Sequence, residues 1–240
     1  YGEVRRFTLP GRPEIPDLGQ KLLQSNLARD IAVVAPGGCA TSNGAYILIG
    51  TGLVQTLGPI TNYGGTMFGS YWWPLDLGVD LEVTKTQCGY YMLDAMGRVY
   101  VFGDALWHGH VEFDYDLARD LELDPLGNGY VILDGFGALH PYGEAPFVDR
   151  INEIVAGVAA AGKLDLYFFG WDIARAFELE SNASGQVTGF LVLDGYGVVR
   201  RHELVAPMLS NSSIITSVTY PIDIARDLET GNQTGTLPSE

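Results

Sequence analysis

Apolar and polar positions along this chain fall into short runs that repeat. Residues 129–143, "GYVILDGFGALHPYG", hold two apolar runs rich in β-branched and aromatic residues, separated by a glycine turn. That pattern predicts a β-hairpin. Near copies stand at 89–103, "GYYMLDAMGRVYVFG", and at 189–203, "GFLVLDGYGVVRRHE". Gly135 and Gly137 are expected to give the turn its positive φ angles. "ARDLEL" (118–123) reads as a strand ahead of the hairpin, and the variable stretch behind it, such as "EAPFVDR" (144–150), as a fourth, outer strand.

Two marks alternate along the chain. One is the hairpin glycine, at Gly2, Gly52, Gly97, Gly137 and Gly197. The other is a D-x-A-R-D strand, seen as "DLARD" (116–120), "DIARA" (172–176) and "DIARD" (223–227), with weaker copies "NLARD" (26–30) and "DLGVD" (76–80). Successive hairpin glycines lie 40 to 60 residues apart, the period of a four-stranded propeller blade. The expected fold is therefore all-β, a single five-bladed β-propeller whose ring is closed by the two termini. The expected blades are 25–68, 72–112, 115–168, 171–219, and a fifth made of 222–240 with 1–22. The long third copy carries "DRINEIVAGVAAAGKLD" (149–165), read as an insertion with a helical turn on an outer edge or face. The fifth copy lacks a "GYxxLD" strand. Three sources would complete it: the tail Gly231–Leu237, residues ahead of Tyr1, or a strand from a neighbouring chain.

Composition narrows the partners. The net charge of −15 disfavours phosphate backbones and anionic lipid, so neither nucleic-acid binding nor membrane insertion is expected. No apolar run approaches a membrane span. Cys39 and Cys88 are the only cysteines and form no CxxC. Each lies between its D-x-A-R-D-type strand and the next hairpin strand, in adjacent copies, so a disulfide would staple the first blade to the second. Asn182, Asn211 and Asn232 open glycosylation sequons. With the paired cysteines they point to an extracellular or cell-surface protein.

"WDIAR", "ARDLELDPLGNGYVILDGFGALHPYG" and "YVFGDA" resemble repeats of the WD40-like and PQQ-like β-propeller type in large secreted or cell-surface bacterial and archaeal proteins. The resemblance spans almost the whole chain. It implies a propeller outside the cell and transfers no catalytic residue. The first copy, "AYILIGTGLVQTLG" (45–58), departs from the pattern, with Ile49 where the others carry the Asp of "LD".

Strand alternation places Asp116, Ala118 and Asp120 on one face and Leu117, Arg119 and Leu121 on the other. With that strand innermost, Asn26, Asp76, Asp116, Asp172 and Asp223 form one ring, and Asp30, Asp80, Asp120 and Asp227 a second. Such rings would attract Ca²⁺. The competing reading pairs each Asp with Arg29, Arg119, Arg175 or Arg226 to fix blade register. Repetition favours the second, because catalysis needs different residues in different roles. Asp94, Asp134 and Asp194 are read as caps of the hairpin turns. His108 and His110 are a candidate metal pair without an identified third ligand. Trp72, Trp73, Trp107 and Trp171 are candidates for stacking on sugars or for wedging between blades. No GxSxG, HExxH or P-loop is present. The expected function is a non-enzymatic structural or interaction module, without a required cofactor, that binds protein partners or itself. The alternatives are a carbohydrate-binding propeller and a glycoside hydrolase using channel carboxylates.

Overall fold

A computed structural model describes residues 28–70, 73–160, 169–205, 209–214, 222–223 and 228. It is all-β with one helix among these residues. Three copies of the repeat fold into three-stranded antiparallel sheets: β1 (Ala28–Val34), β2 (Gly44–Ile49) and β3 (Val54–Leu57); β6 (Gly78–Val83), β7 (Gly89–Asp94) and β8 (Val99–Gly103); β9 (Ala118–Leu123), β10 (Gly129–Asp134) and β11 (Leu139–Gly143). The fourth sheet has four strands, β12 (Ala174–Ser181), β13 (Val187–Asp194), β14 (Val199–Val205) and β15 (Leu209–Ile214). A two-residue pair, β4 (Gly69–Ser70) with β5 (Trp73–Pro74), lies between the first two sheets.

Successive sheets meet along their first strands: β1 lies beside β6, β6 beside β9, and β9 beside β12. The middle strands β2, β7 and β10 are buried at every position. Both faces of each are covered, which is why they read as continuous apolar runs. One apolar cluster joins the first and second sheets through Tyr46, Leu48, Tyr90 and Met92. A second joins the second and third through Tyr91, Leu93, Tyr130 and Ile132.

The stretch 144–150, expected as an outer strand, is instead helical, and the helical turn expected in 149–165 belongs to the same helix, which packs into the core rather than on an outer edge. Helix α1 (Ala145–Ala160) begins within "EAPFVDR". Pro146 suits a first helical turn, where its missing N–H costs nothing. Phe147, Ile151 and Ile154 recur at helical spacing, are buried, and fill the core between the third and fourth sheets with Val131, Phe177, Val187 and Phe190. Burying three large apolar side chains outweighs the weak strand signal of "FV".

The hairpin glycines Gly52, Gly97, Gly137 and Gly197 have φ between 86° and 88°. Gly135 does not share that conformation, contrary to expectation; a different constraint holds it, described below.

Candidate functional site

The hairpin turns and the lead-ins to the first strands lie together on one edge of the sheets. The turn of each copy bonds to the lead-in of the next. Leu77 and Gly78 donate to the Gly50 carbonyl, Leu117 and Ala118 to Ala95, and Ile173 and Ala174 to Gly135. Every first strand also bulges at the same step. Pairing skips one residue at Arg29, Val79, Arg119 and Arg175. A bulge pushes that side chain out of the ladder and breaks the two-residue period. Asp116 and Asp120 therefore play separate parts rather than sharing a face.

Arginines link the outer acids along this edge. Arg119 holds Asp116 through Nη1 at 2.8 Å and reaches Asp172 of the next copy through Nε, at 3.1 Å, and Nη2. Arg175 repeats this with Asp172 at 3.0 Å and with Asp223. Arg29 holds Asp76. Burial works against the Arg175 cation, and its bonds to Asp223 and Asp172 outweigh this, so its pKa is raised. Through these pairs the arginines link successive copies.

The acid between copies packs on the turn beneath it. A Cβ at Gly50 would lie 1.8 Å from Asp76 Oδ1, one at Gly135 2.1 Å from Asp172 Oδ1, and one at Gly195 1.9 Å from Asp223 Oδ1. The second copy breaks the pattern twice. Val79 replaces the arginine and Ala95 replaces the glycine. Without an arginine drawing Asp116 onto the turn, a methyl group fits there. The Asp116 side chain is 72 % exposed, against 39 % for Asp172 and 35 % for Asp223.

The inner acids cap backbone on the next first strand. Asp30 Oδ2 accepts Leu81 N–H at 3.1 Å, Asp80 Oδ2 accepts Leu121 N–H at 2.8 Å, and Asp120 Oδ2 accepts Phe177 N–H at 2.6 Å. Glu82 repels Asp120, and Glu122 is repelled by Glu82, Asp120, Glu178 and Asp80. Desolvation raises the pKa of Asp80 well above the usual range, helped by the Asp120 and Asp30 charges. Desolvation likewise raises Asp120, against the Phe177 N–H bond, and raises Glu122, which also feels Glu82 and Asp120. Among the described residues, no three His, Cys, Asp or Glu side chains converge to hold a metal ion.

Beneath each hairpin turn lies a third repeated site. Asp94 Oδ1 accepts the N–H groups of Met96 and Arg98, both at 2.9 Å, and Asp134 and Asp194 do the same in their copies. The other oxygen takes a different donor each time: Tyr100 at 3.1 Å, His140 at 3.0 Å and Arg200 at 2.5 Å. An aromatic ring from the preceding linker covers each donor, Phe68 on Tyr100, Phe113 on His140 and Phe169 on Arg200. In the first copy, where Ile49 replaces the Asp, Gln55 takes the donor's register position. Its side-chain oxygen is buried without a partner among the described residues. Sequence reasoning missed these donors; a polar residue six positions after each "LD" Asp was the available signal.

A fourth repeated feature was also missed. Leu75, Tyr115, Trp171 and Ile222 each directly precede an outer acid, and they are 46 %, 55 %, 64 % and 62 % exposed. The signal was a large apolar residue held beside a charged one in every described copy.

The remaining candidates separate. Trp107 is 58 % exposed, but its loop is tied to the far end of the sheets, where Tyr130 OH donates to Gly109 O at 2.6 Å and accepts His108 N–H at 3.1 Å. The structure therefore does not bring Trp107 to Trp171. His108 meets Tyr130 edge to face, whereas His110 meets Trp107 edge to face with Glu112 3.7 Å away. Asn182 is exposed and caps its turn, its Oδ1 accepting Ser184 N–H at 3.0 Å and Gln186 N–H at 3.1 Å. Asp124 fills the equivalent place in the third copy, accepting Asn128 N–H at 3.1 Å. Cys39 and Cys88 form a disulfide between the equivalent turns of the first two sheets, with Cα atoms 5.0 Å apart, as expected. Asn26, Trp72, Arg226, Asp227 and Asn232 lie outside the described residues, as do the side chains of Trp73 and Asn211. Compared with protein-family models and with curated proteins, the chain finds no match.

Proposed function

We propose that the chain is a five-bladed β-propeller that serves as a non-enzymatic extracellular module, binding another protein through the edge that carries its hairpin turns. Support for the ring comes from first strands that lie side by side in sequence order. Asp223 also takes the place beside Arg175 that Asp172 takes beside Arg119, so a fifth copy opens in step with the others. The disulfide suits an oxidising compartment. The observation that carries the interaction reading is the division of labour along the repeat. Recurring acids and arginines hold copies together, whereas Leu75, Tyr115, Trp171 and Ile222 face solvent at one repeat position. Large exposed apolar side chains that recur at one repeat position suit an interaction surface.

A photo-cross-linking amino acid placed at Trp171, in the cell that makes the protein, tests this. Covalent adducts to protein are expected. Adducts to glycan alone would favour the carbohydrate-binding reading, and a complete absence of adducts would overturn the interaction module.

A further inference from the structure

One gap in this edge has a defined chemistry. In the third and fourth copies a guanidinium sits between two successive outer acids: Arg119 between Asp116 and Asp172, and Arg175 between Asp172 and Asp223. In the same span between Asp76 and Asp116, Val79 stands at the arginine's position, and no arginine bridges the two acids among the described residues. These two acids are also the most exposed of the four, at 52 % and 72 %. The methyl of Ala95 occupies the floor on which the other copies seat an acid, so the Asp116 carboxylate stands outward. Leu75 and Tyr115 directly precede these two acids, and Trp171 stands at the same position of the next copy; all are exposed.

We infer that this gap receives an arginine from a protein partner, whose apolar neighbours lie on Leu75, Tyr115 and Trp171. The inference rests on the interaction reading above and names the partner's chemistry. Two equivalent sites in the same molecule already hold guanidinium groups, which fit carboxylates through planar, paired hydrogen bonds. The exposed ring of Tyr115, next to Asp116 in the chain, suits the same cation. A second copy of this chain is a poor occupant, because two bodies of net charge −15 repel.

The test uses a labelled short peptide with one arginine between leucines, and its citrulline counterpart, which keeps the shape and loses the charge. Fluorescence anisotropy is expected to show binding of the arginine peptide, weakened about tenfold by citrulline or by Asp116→Asn. Asp149→Asn, an exposed acid on α1, is expected to leave binding unchanged. Val79→Arg combined with Ala95→Gly supplies the missing guanidinium within the chain and is expected to abolish binding while circular dichroism stays unchanged. Equal loss with Asp149→Asn, or full binding by the Val79→Arg/Ala95→Gly protein, would overturn the site. Protein adducts at Trp171 without peptide binding would overturn the arginine site alone and leave the interaction module standing.

Discussion

The carboxylate of Asp172 rests on the backbone of Gly135, so close that a Cβ there would lie 2.1 Å from its Oδ1. Gly135 is therefore held by contact across copies rather than by turn geometry. Gly135→Ala is expected to push Asp172 away from Arg119 and to destabilise the protein by ~1–3 kcal/mol in urea unfolding. In an Arg119→Val background the same change is expected to cost clearly less, because that pair reproduces Val79 and Ala95. Strict additivity would refute the linkage.

The slots beneath the turns rank three further substitutions. Asp194→Ala strands the Arg200 cation and is expected to cost ~3–5 kcal/mol. Asp94→Ala strands only the Tyr100 hydroxyl and is expected to cost ~1–3 kcal/mol. Asp134→Ala falls between. Each variant loses the same two turn bonds, so the order reports the donor, and equal losses in thermal unfolding would contradict that assignment.

Asp80, Asp120 and Glu122 make stability depend on pH. Their folded pKa values are raised above unfolded ones, chiefly by desolvation. Their contribution is complete in acid and is lost as pH rises through the raised values. Urea unfolding is expected to show stability falling as pH rises from the ordinary carboxylate range through the raised values. Asp80→Asn should flatten that fall and raise stability at the upper end. A fall as steep in the variant as in the parent would place the effect elsewhere.

Removing the disulfide by Cys39→Ser with Cys88→Ser is expected to cost ~2–4 kcal/mol without moving the first two sheets apart, because Tyr46, Tyr90 and Met92 still bind them. The paired variant should melt lower yet keep its near-ultraviolet circular dichroism.

The sequence made the hairpins legible because β-branched runs and glycine turns leave a strong period. It made the disulfide legible because both cysteines occupy one place in the repeat. The helix was legible only in part: a helical turn was expected in 149–165, but repeat logic demanded an outer strand over 144–150, where Phe147 begins the buried spacing that Ile151 and Ile154 continue. The bulge at Arg119 was hidden as well, since one extra residue leaves no mark in composition, and missing it merged Asp116 and Asp120 into one face. The exposed series from Leu75 to Ile222 needed surface exposure to be seen, for alternation alone reads those residues as core.

The disulfide also changes what a broken backbone means. Residues 39 to 88 form a covalent loop that contains β2 through β6. The linker from Gly58 to Met67, inside that loop, has several exposed positions, among them Pro59, Thr61 and Met67. A protease cutting there would leave both fragments bonded through sulfur as well as paired through the sheets. The clipped protein would migrate as one piece until a reductant released the halves, so a cut in this linker separates nothing while the sulfur bridge stands.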